Sequence, residues 1–535
     1  MYKSIQILFF MFLFSSLFSN TTSAQITPNE VDHLVEKAMG KFNVAGLAVA
    51  IVKDGKIVHS EGYGVKSIQT KEPVSSHTNF QIASNTKAFT TAALAILVEE
   101  GKLSWNDQVK VYLPEFRMYN DYVTENFNIQ DLLTHRSGLG LGAGDLMHFP
   151  DGSDFTIKDV MSCFQYFQPV SAFRTHFDYD NLLYLLAGEV IARVSGMSCE
   201  AFVKERILQP LQMDQSFTSY ADLKDKSSLS TSHSTGTGAI RTIGTFDPIV
   251  NGAAGGILSN VDDICKWMLV QLNRGKYGKN LEKQLFSEAS QKEMWKIHTP
   301  VDESENPFLN DSRYSTHFAG YGLGWDLSDI KGNLSVSHTG YVPGMFSKIW
   351  MIPDLSLGVV VLTNTEEDGR EIRNAISQTI VDSYLGLACY DWVLHYQKLY
   401  EISKNKGDSV SRKVWETVDA TNNNSINAED YLGIYEDKWF GKTEVFLNGK
   451  QLWFKSYRSP KLNGPMRLYE ANTFAIKWEY QDMKADAFAI FGMDKNGKAQ
   501  SIKMKGISPN IDFSFDFQDL DLKRLTKYEL ERQAD

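Results

Sequence analysis

Two pairs of strand-like runs, one near the start of the chain and one far downstream, constrain the fold more than any other feature. The first pair, GLAVAIVKDGKIVHSEGYG, flanks Asp54-Gly55, a dipeptide suited to the positive φ angles of a tight hairpin turn. The second pair lies in WMIPDLSLGVVVLTN, with strands over 348–352 and 358–363 and a helix over about 371–386. The region between them has helical periodicity near 86–100, 181–194 and 261–272, and VDHLVEKAMGKF ahead of them reads as an amphipathic helix. Early strands, a helical middle and late strands predict one sheet assembled from both ends and covered by helices, an α+β or α/β sandwich.

The character of the chain changes twice more. A polar stretch containing KNKGDSVSRK and ATNNNS predicts a linker over 396–430. Beyond it, Asn448-Gly449 and Asn496-Gly497 separate alternating, aromatic-rich runs, which predicts a small β-barrel or sandwich over 431–530. At the other end, Lys3 precedes an apolar run over 5–18, and Thr22-Ser23-Ala24 supplies small residues. This layout predicts a signal peptide over 1–24 cleaved near Ala24, and a periplasmic or secreted mature protein without a stable membrane anchor. The main domain is then expected over 25–395.

Composition excludes some functions. With 54 basic and 65 acidic residues the net charge is −11, and no basic run offers the footprint of a nucleic-acid binder. Cys163, Cys199, Cys265 and Cys389 are far apart, lack metal-ligand spacing and are expected to be buried free thiols. No metal or cofactor is expected.

Chemistry is suggested by FQIASNTKAFTTAALAILVEEGKL, where Ser84 and Lys87 stand at the head of an Ala- and Leu-rich helix. Serine is a good N-cap, and S-x-x-K recurs at 328–331 and 403–406, so the four letters alone decide nothing. Two further stretches add weight: Tyr179-Asp180-Asn181 before a helix, and His338-Thr339-Gly340 at the end of a strand-like run. Together they resemble the S-x-x-K, Y-x-N and (K/H)-T-G motifs of the penicillin-recognising serine hydrolases. GKLSWNDQVKVYLPE, IQDLLTHRSGLG, GAAGGILSNVDDICKWM and GYGLGW occur in the order seen in that family, over roughly 31–388.

The resemblance implies an antiparallel sheet flanked by helices with an all-helical subregion, and a lipocalin-like barrel as the appended domain. It implies Ser84 as nucleophile and Lys87 or Tyr179 as its base. Asn181, His338, Thr339, Gly340 and Tyr341 would line the substrate site, and the backbone N–H groups of Ser84 and Tyr341 would form an oxyanion hole. His338 would bind a substrate carboxylate or help transfer a proton, and His135, in THRSGL, would be structural. The expected activity is hydrolysis of a peptide or small-molecule amide or ester through an acyl-enzyme. D-stereospecific peptidase or esterase ranks above β-lactamase, because histidine replaces the usual lysine of the third motif. A slow-turnover penicillin-binding or sensor protein is the alternative from another class. Homo-oligomers are possible. Because all three motifs lie before residue 341, the chemistry is expected not to need residues of the C-terminal domain.

Overall fold

The computed structural model describes residues 25–526 and 529, apart from 237, 303–305, 307, 310 and 422–425. The expected signal segment lies outside the described residues. Helix α1 (Pro28–Met39) starts with a capping box: the Thr27 hydroxyl accepts from the Glu30 amide, and the Glu30 carboxylate accepts from the Thr27 amide. The hairpin of β1 (Gly46–Lys53) and β2 (Lys56–Gly64) turns at Asp54-Gly55, both at positive φ.

The long helices in the middle of the chain are α2 (Thr86–Glu99), α3 (Leu182–Ser195) and α4 (Val261–Leu272). The remaining strands of the main sheet are β3 (Thr299–Pro300), β4 (Ala319–Tyr321), β5 (Asp326–Ile330), β6 (Asn333–Val342), β7 (Met345–Ile352) and β8 (Leu357–Thr363). The sheet runs β2-β1-β8-β7-β6-β5-β4-β3, with every neighbouring pair antiparallel. It is joined from both ends, since β1 lies against β8 with Val49 opposite Val361.

The central strands β7 and β8 are buried along their whole length because helices cover both faces, which explains the continuous apolar sequence of β8; β7 is as buried but carries Ser347 and Lys348. One face packs on α1 and on α5 (Asp368–Tyr384) through Val35, Val361 and Ile376. The other meets the helical subregion. There α2 is buried on every side from Thr86 to Leu97 and mostly apolar, with Phe89 stacked on Trp267 at 4.1 Å.

The polar stretch expected as a linker is instead most of α6 (Trp392–Ala420). Most of its circumference is solvated, hence the polar letters, but sparse apolar positions anchor it at both ends. Trp392 and Val393 join the α1–α5 core, while Val414 and Val418, one turn apart, pack on Ala475, Phe488 and Ile507 of the C-terminal domain.

That domain is a closed barrel of eight antiparallel strands, from Gly433–Asp437 to Leu522–Arg524, with Tyr435 paired to Arg524 across the seam. Its interior is filled by aromatic side chains, among them Tyr435, Phe454, Phe474, Trp478 and Phe491. The outline is lipocalin-like, but the inside is a packed core.

All four cysteines are free; three are buried, whereas Cys389 is exposed, contrary to expectation. Among the described residues no single helix is long and apolar enough to cross a membrane.

Candidate active site

Ser84 sits in a single 3-10 turn, Ala83–Asn85, leading into α2. Ala83, just before it, has φ 48°, a left-handed conformation costing a non-glycine residue about 1–3 kcal/mol. The serine does not serve as a cap: the N-cap of α2 is Asn85, and no side-chain capping bond is made. Lys87 Nζ instead lies 3.1 Å from Ser84 Oγ, 2.7 Å from Asn181 Oδ1 and 3.1 Å from the Ala254 carbonyl. Asn181 likewise heads α3 without capping it, and its amide donates to Asp145 Oδ2 at 2.8 Å. Two residues that local rules read as helix caps are thus withdrawn from capping and spent on the lysine.

Lys87 is fully buried, and burial pulls its ammonium down from 10.5 to about 7, against the opposing fields of Asp145 and Asp180. Near neutral pH a large fraction is therefore a free amine beside a serine hydroxyl.

Tyr179 presents its ring face to the amine, 4.8 Å from Nζ to the centroid. Burial pushes its phenol well above the ordinary value, although nearby Ser84 favours the phenolate. Its hydroxyl makes no hydrogen bond of normal geometry. His135 packs beneath the tyrosine ring at 4.1 Å and accepts from the Asp180 amide through Nδ1, a fully buried support.

The third motif lies inside β6 rather than at its end. Strand β5 pairs with β6 only as far as Ser337, so the edge beyond it is left to lie against the serine turn. Gly340 makes that approach possible: a Cβ there would stand 2.3 Å from the Ile82 carbonyl oxygen and 3.1 Å from Ala83 Cβ. Thr339 is exposed to the cleft, and the Tyr341 hydroxyl donates to Glu366 at 2.8 Å.

His338 also borders the cleft, but both ring nitrogens are engaged. Nδ1 faces the Thr339 carbonyl at 2.6 Å and must donate, so Nε2 accepts from the Tyr321 hydroxyl at 2.9 Å. Burial, with the field of Lys87, lowers its pKa to about 3. A neutral imidazole with no free donor cannot supply the charge expected for reading a carboxylate.

Sequence reasoning missed the residues behind the motifs. Asp145, which holds Asn181, belongs to no motif, and its partner His148 lies 3.1 Å away in the same turn. More unexpectedly, the C-terminal domain reaches into the site. Asp516 accepts from the amides of Gly144 (2.8 Å) and Leu146 (2.9 Å), fixing the loop that carries Asp145. Phe513 sets its ring edge-on to Tyr179, 5.8 Å between centroids. These contacts bear on the expectation that the chemistry needs nothing from this domain. Its loop contributes a wall and a brace, and no local sequence pattern signals a contact between positions so far apart.

Removing that brace is testable. Asp516→Ala would strand two buried N–H groups at about 1–3 kcal/mol, let the Asp145 loop move, and lower kcat by roughly 10-fold or more. Thermal unfolding and ester turnover measured together check this. Lower stability with unchanged kcat would mean that Asp516 only joins the domains.

Ser84 opens into a cavity of about 1230 Å³ whose walls include Tyr179, Asn181, Thr339 and Phe513. A neutral lysine can take the serine proton as the oxygen attacks a carbonyl, and no cluster of metal-ligating side chains occurs among the described residues.

Comparison with known proteins agrees with this geometry. Residues 31–380 match the Beta-lactamase family model, and 418–524 match a domain of unknown function, DUF3471. The chain is 27% identical over 400 residues to the unguisins hydrolase ungD′ of Aspergillus campestris, covering 72% of this chain and 71% of that protein. It is 26% identical over 343 residues to protein flp of Staphylococcus aureus, covering 63% of each. The octameric penicillin-binding protein homologue from Pyrococcus abyssi shares the fold, with a TM-score of 0.57 at 21% identity over 92% of this chain and 99% of that one. The chain belongs to the beta-lactamase family, whose members are generally serine hydrolases.

Proposed function

We propose that this protein cleaves an amide or ester through an acyl-enzyme on Ser84, with Lys87 as the base, and that it acts as a D-stereospecific peptidase or esterase. One observation carries the reading: a fully buried amine with pKa pulled to about 7 stands 3.1 Å from the serine oxygen. Tyr179 is the weaker base candidate, since its phenol is pushed upward and its ring face is what meets the lysine. It serves better as a wall that keeps the amine dry. In the proposed reaction the Ser84 proton passes to Lys87 as Oγ attacks, and the same group returns it to the leaving group. The backbone amides of Ser84 and Tyr341 hold the developing oxyanion, and Asn181 and Thr339 hold the substrate beside it.

The neutral His338 supports ranking peptides and neutral esters above β-lactams, whose carboxylate would meet no charge from this motif. Export after cleavage near Ala24 belongs to the same proposal, on the strength of Lys3 and the apolar run that follows. N-terminal sequencing of the mature protein would settle it. Assembly into homo-oligomers is checked by mass in solution.

Intact and peptide mass spectrometry after treatment with a fluorophosphonate tests the core of the reading. A single adduct on the peptide carrying Ser84 is expected, and an adduct elsewhere would overturn it. A panel of nitrocefin, p-nitrophenyl esters and paired D- and L-aminoacyl amides then ranks the substrates. One burst without turnover on all of them would mean a binder rather than an enzyme.

The pH profile has a definite sign. Because the Lys87 pKa is lowered, its reactive amine form grows as pH rises through about 7. The acylation rate is expected to climb about tenfold per pH unit below that value and level off above it. A rate that is flat from pH 5 to 9 would exclude Lys87 as the base.

A further inference from the structure

The sheet is apolar on both faces at its centre, but not where β6 and β7 leave it. Ser347 sends its hydroxyl to the Ile82 carbonyl and accepts from Asn85, so it faces the catalytic side. By strand alternation Lys348 faces away, together with Trp350 and with Ser337 and Thr339, their partners across β6. On that face a polar trough lies where a hydrophobic one would be ordinary. Arg373 of α5 and Tyr400 of α6 close it, and it is continuous with the cavity that holds Ser84.

The floor of the trough carries two basic side chains without hydrogen-bonded counter-ions. Lys348 is 9% exposed, and its Nζ makes no hydrogen bond or ion pair with a described residue; it lies over the Trp350 indole, 4.0 Å from the centroid. Arg373 is 5% exposed and donates to neutral acceptors, the Ser347 carbonyl and Asn374 Oδ1. The carboxylates whose fields reach them are Asp326 for Lys348 and Glu371 for Arg373, and Glu371 is itself paired with Arg370. Burial lowers Lys348 to about 7 and Arg373 to about 10, and the arginine's charge depresses the lysine further. Buried cations of this kind are expected to be paired, and an anion seated here would reverse the cost of burying them.

We propose that this trough is a subsite for a carboxylate on the substrate, remote from the scissile bond, with Lys348 as its contact and Arg373 as its supporting charge. The proposal deepens the hydrolase reading and rests on it. Strand β6 stands between Ser84 and Lys348, so the ligand must pass over the Thr339–Tyr341 lip. The subsite therefore selects extended substrates ending in an acid.

A series of p-nitrophenyl esters with acyl chains of increasing length, each ending in a carboxylate or in its methyl ester, tests this. The kcat/KM ratio of acid to methyl ester is expected to rise with chain length to about tenfold or more. Lys348→Met should return the ratio to about one by raising KM for the acid, and Lys348→Arg should keep most of it. A ratio independent of length, or untouched by Lys348→Met, overturns the proposal, as does an equal loss on both esters without recovery in Lys348→Arg. Failure of the hydrolase reading would look different: no ester of either kind would be turned over. Calorimetry with glutarate then decides the subsite alone. Binding to the wild type that is lost in Lys348→Met supports it, and no binding to the wild type overturns it.

Discussion

Ser84→Ala is expected to abolish covalent labelling by a fluorophosphonate and to lower ester turnover by roughly 10⁴–10⁶-fold, the scale of nucleophile loss in serine hydrolases. The magnitude follows from the surroundings. The serine stands half-buried in the turn ahead of α2, and water admitted in its place would meet Lys87, Asn181 and the β6 edge without a covalent path. The fold should not suffer, because the hydroxyl caps nothing and its polar neighbours are Lys87 and Tyr179 of the same site. Unchanged unfolding temperature with lost labelling is therefore the expected pair of results. Normal turnover in this variant would remove Ser84 from the chemistry.

Lys87→Met is expected to slow acylation by about 10²–10⁴-fold, the usual worth of a positioned general base, while fitting a cavity built for an apolar stem. The rise of rate through about pH 7 should vanish with it. Tyr179→Phe keeps the ring that faces the amine and is expected to cost less, about 10-fold. The double variant should fall short of the product of the two losses, since the tyrosine acts through the Lys87 amine that its ring covers. Stopped-flow acylation of the three variants measures this. Fully multiplicative losses would make one of the residues mere packing, and a Tyr179→Phe loss as deep as that of Lys87→Met would return the base to the phenol.

The letters of the chain determined the sheet joined from both ends, because β1 and β8 are apolar enough to demand burial on both faces and Asp54-Gly55 fixes the hairpin. They also determined the candidate site residues: three short motifs in a set order carry Ser84, Lys87 and Tyr179 whatever the rest of the chain does. α6 was illegible, since two valines one turn apart in a polar helix look like chance until the barrel surface that covers them is known.

Tertiary structure alone decided the electrostatics. Whether Lys87 is a base depends on complete burial against Asp145 and Asp180, and whether His338 carries charge depends on its burial and on the field of Lys87. Neither is encoded near the residue it governs. The same holds for Asp516 and Phe513, which reach the site only because the barrel docks there. Local spacing specifies which atoms are present on one turn of helix. The free energy of a proton on them is set by everything within several ångströms, and those neighbours come from distant parts of the chain.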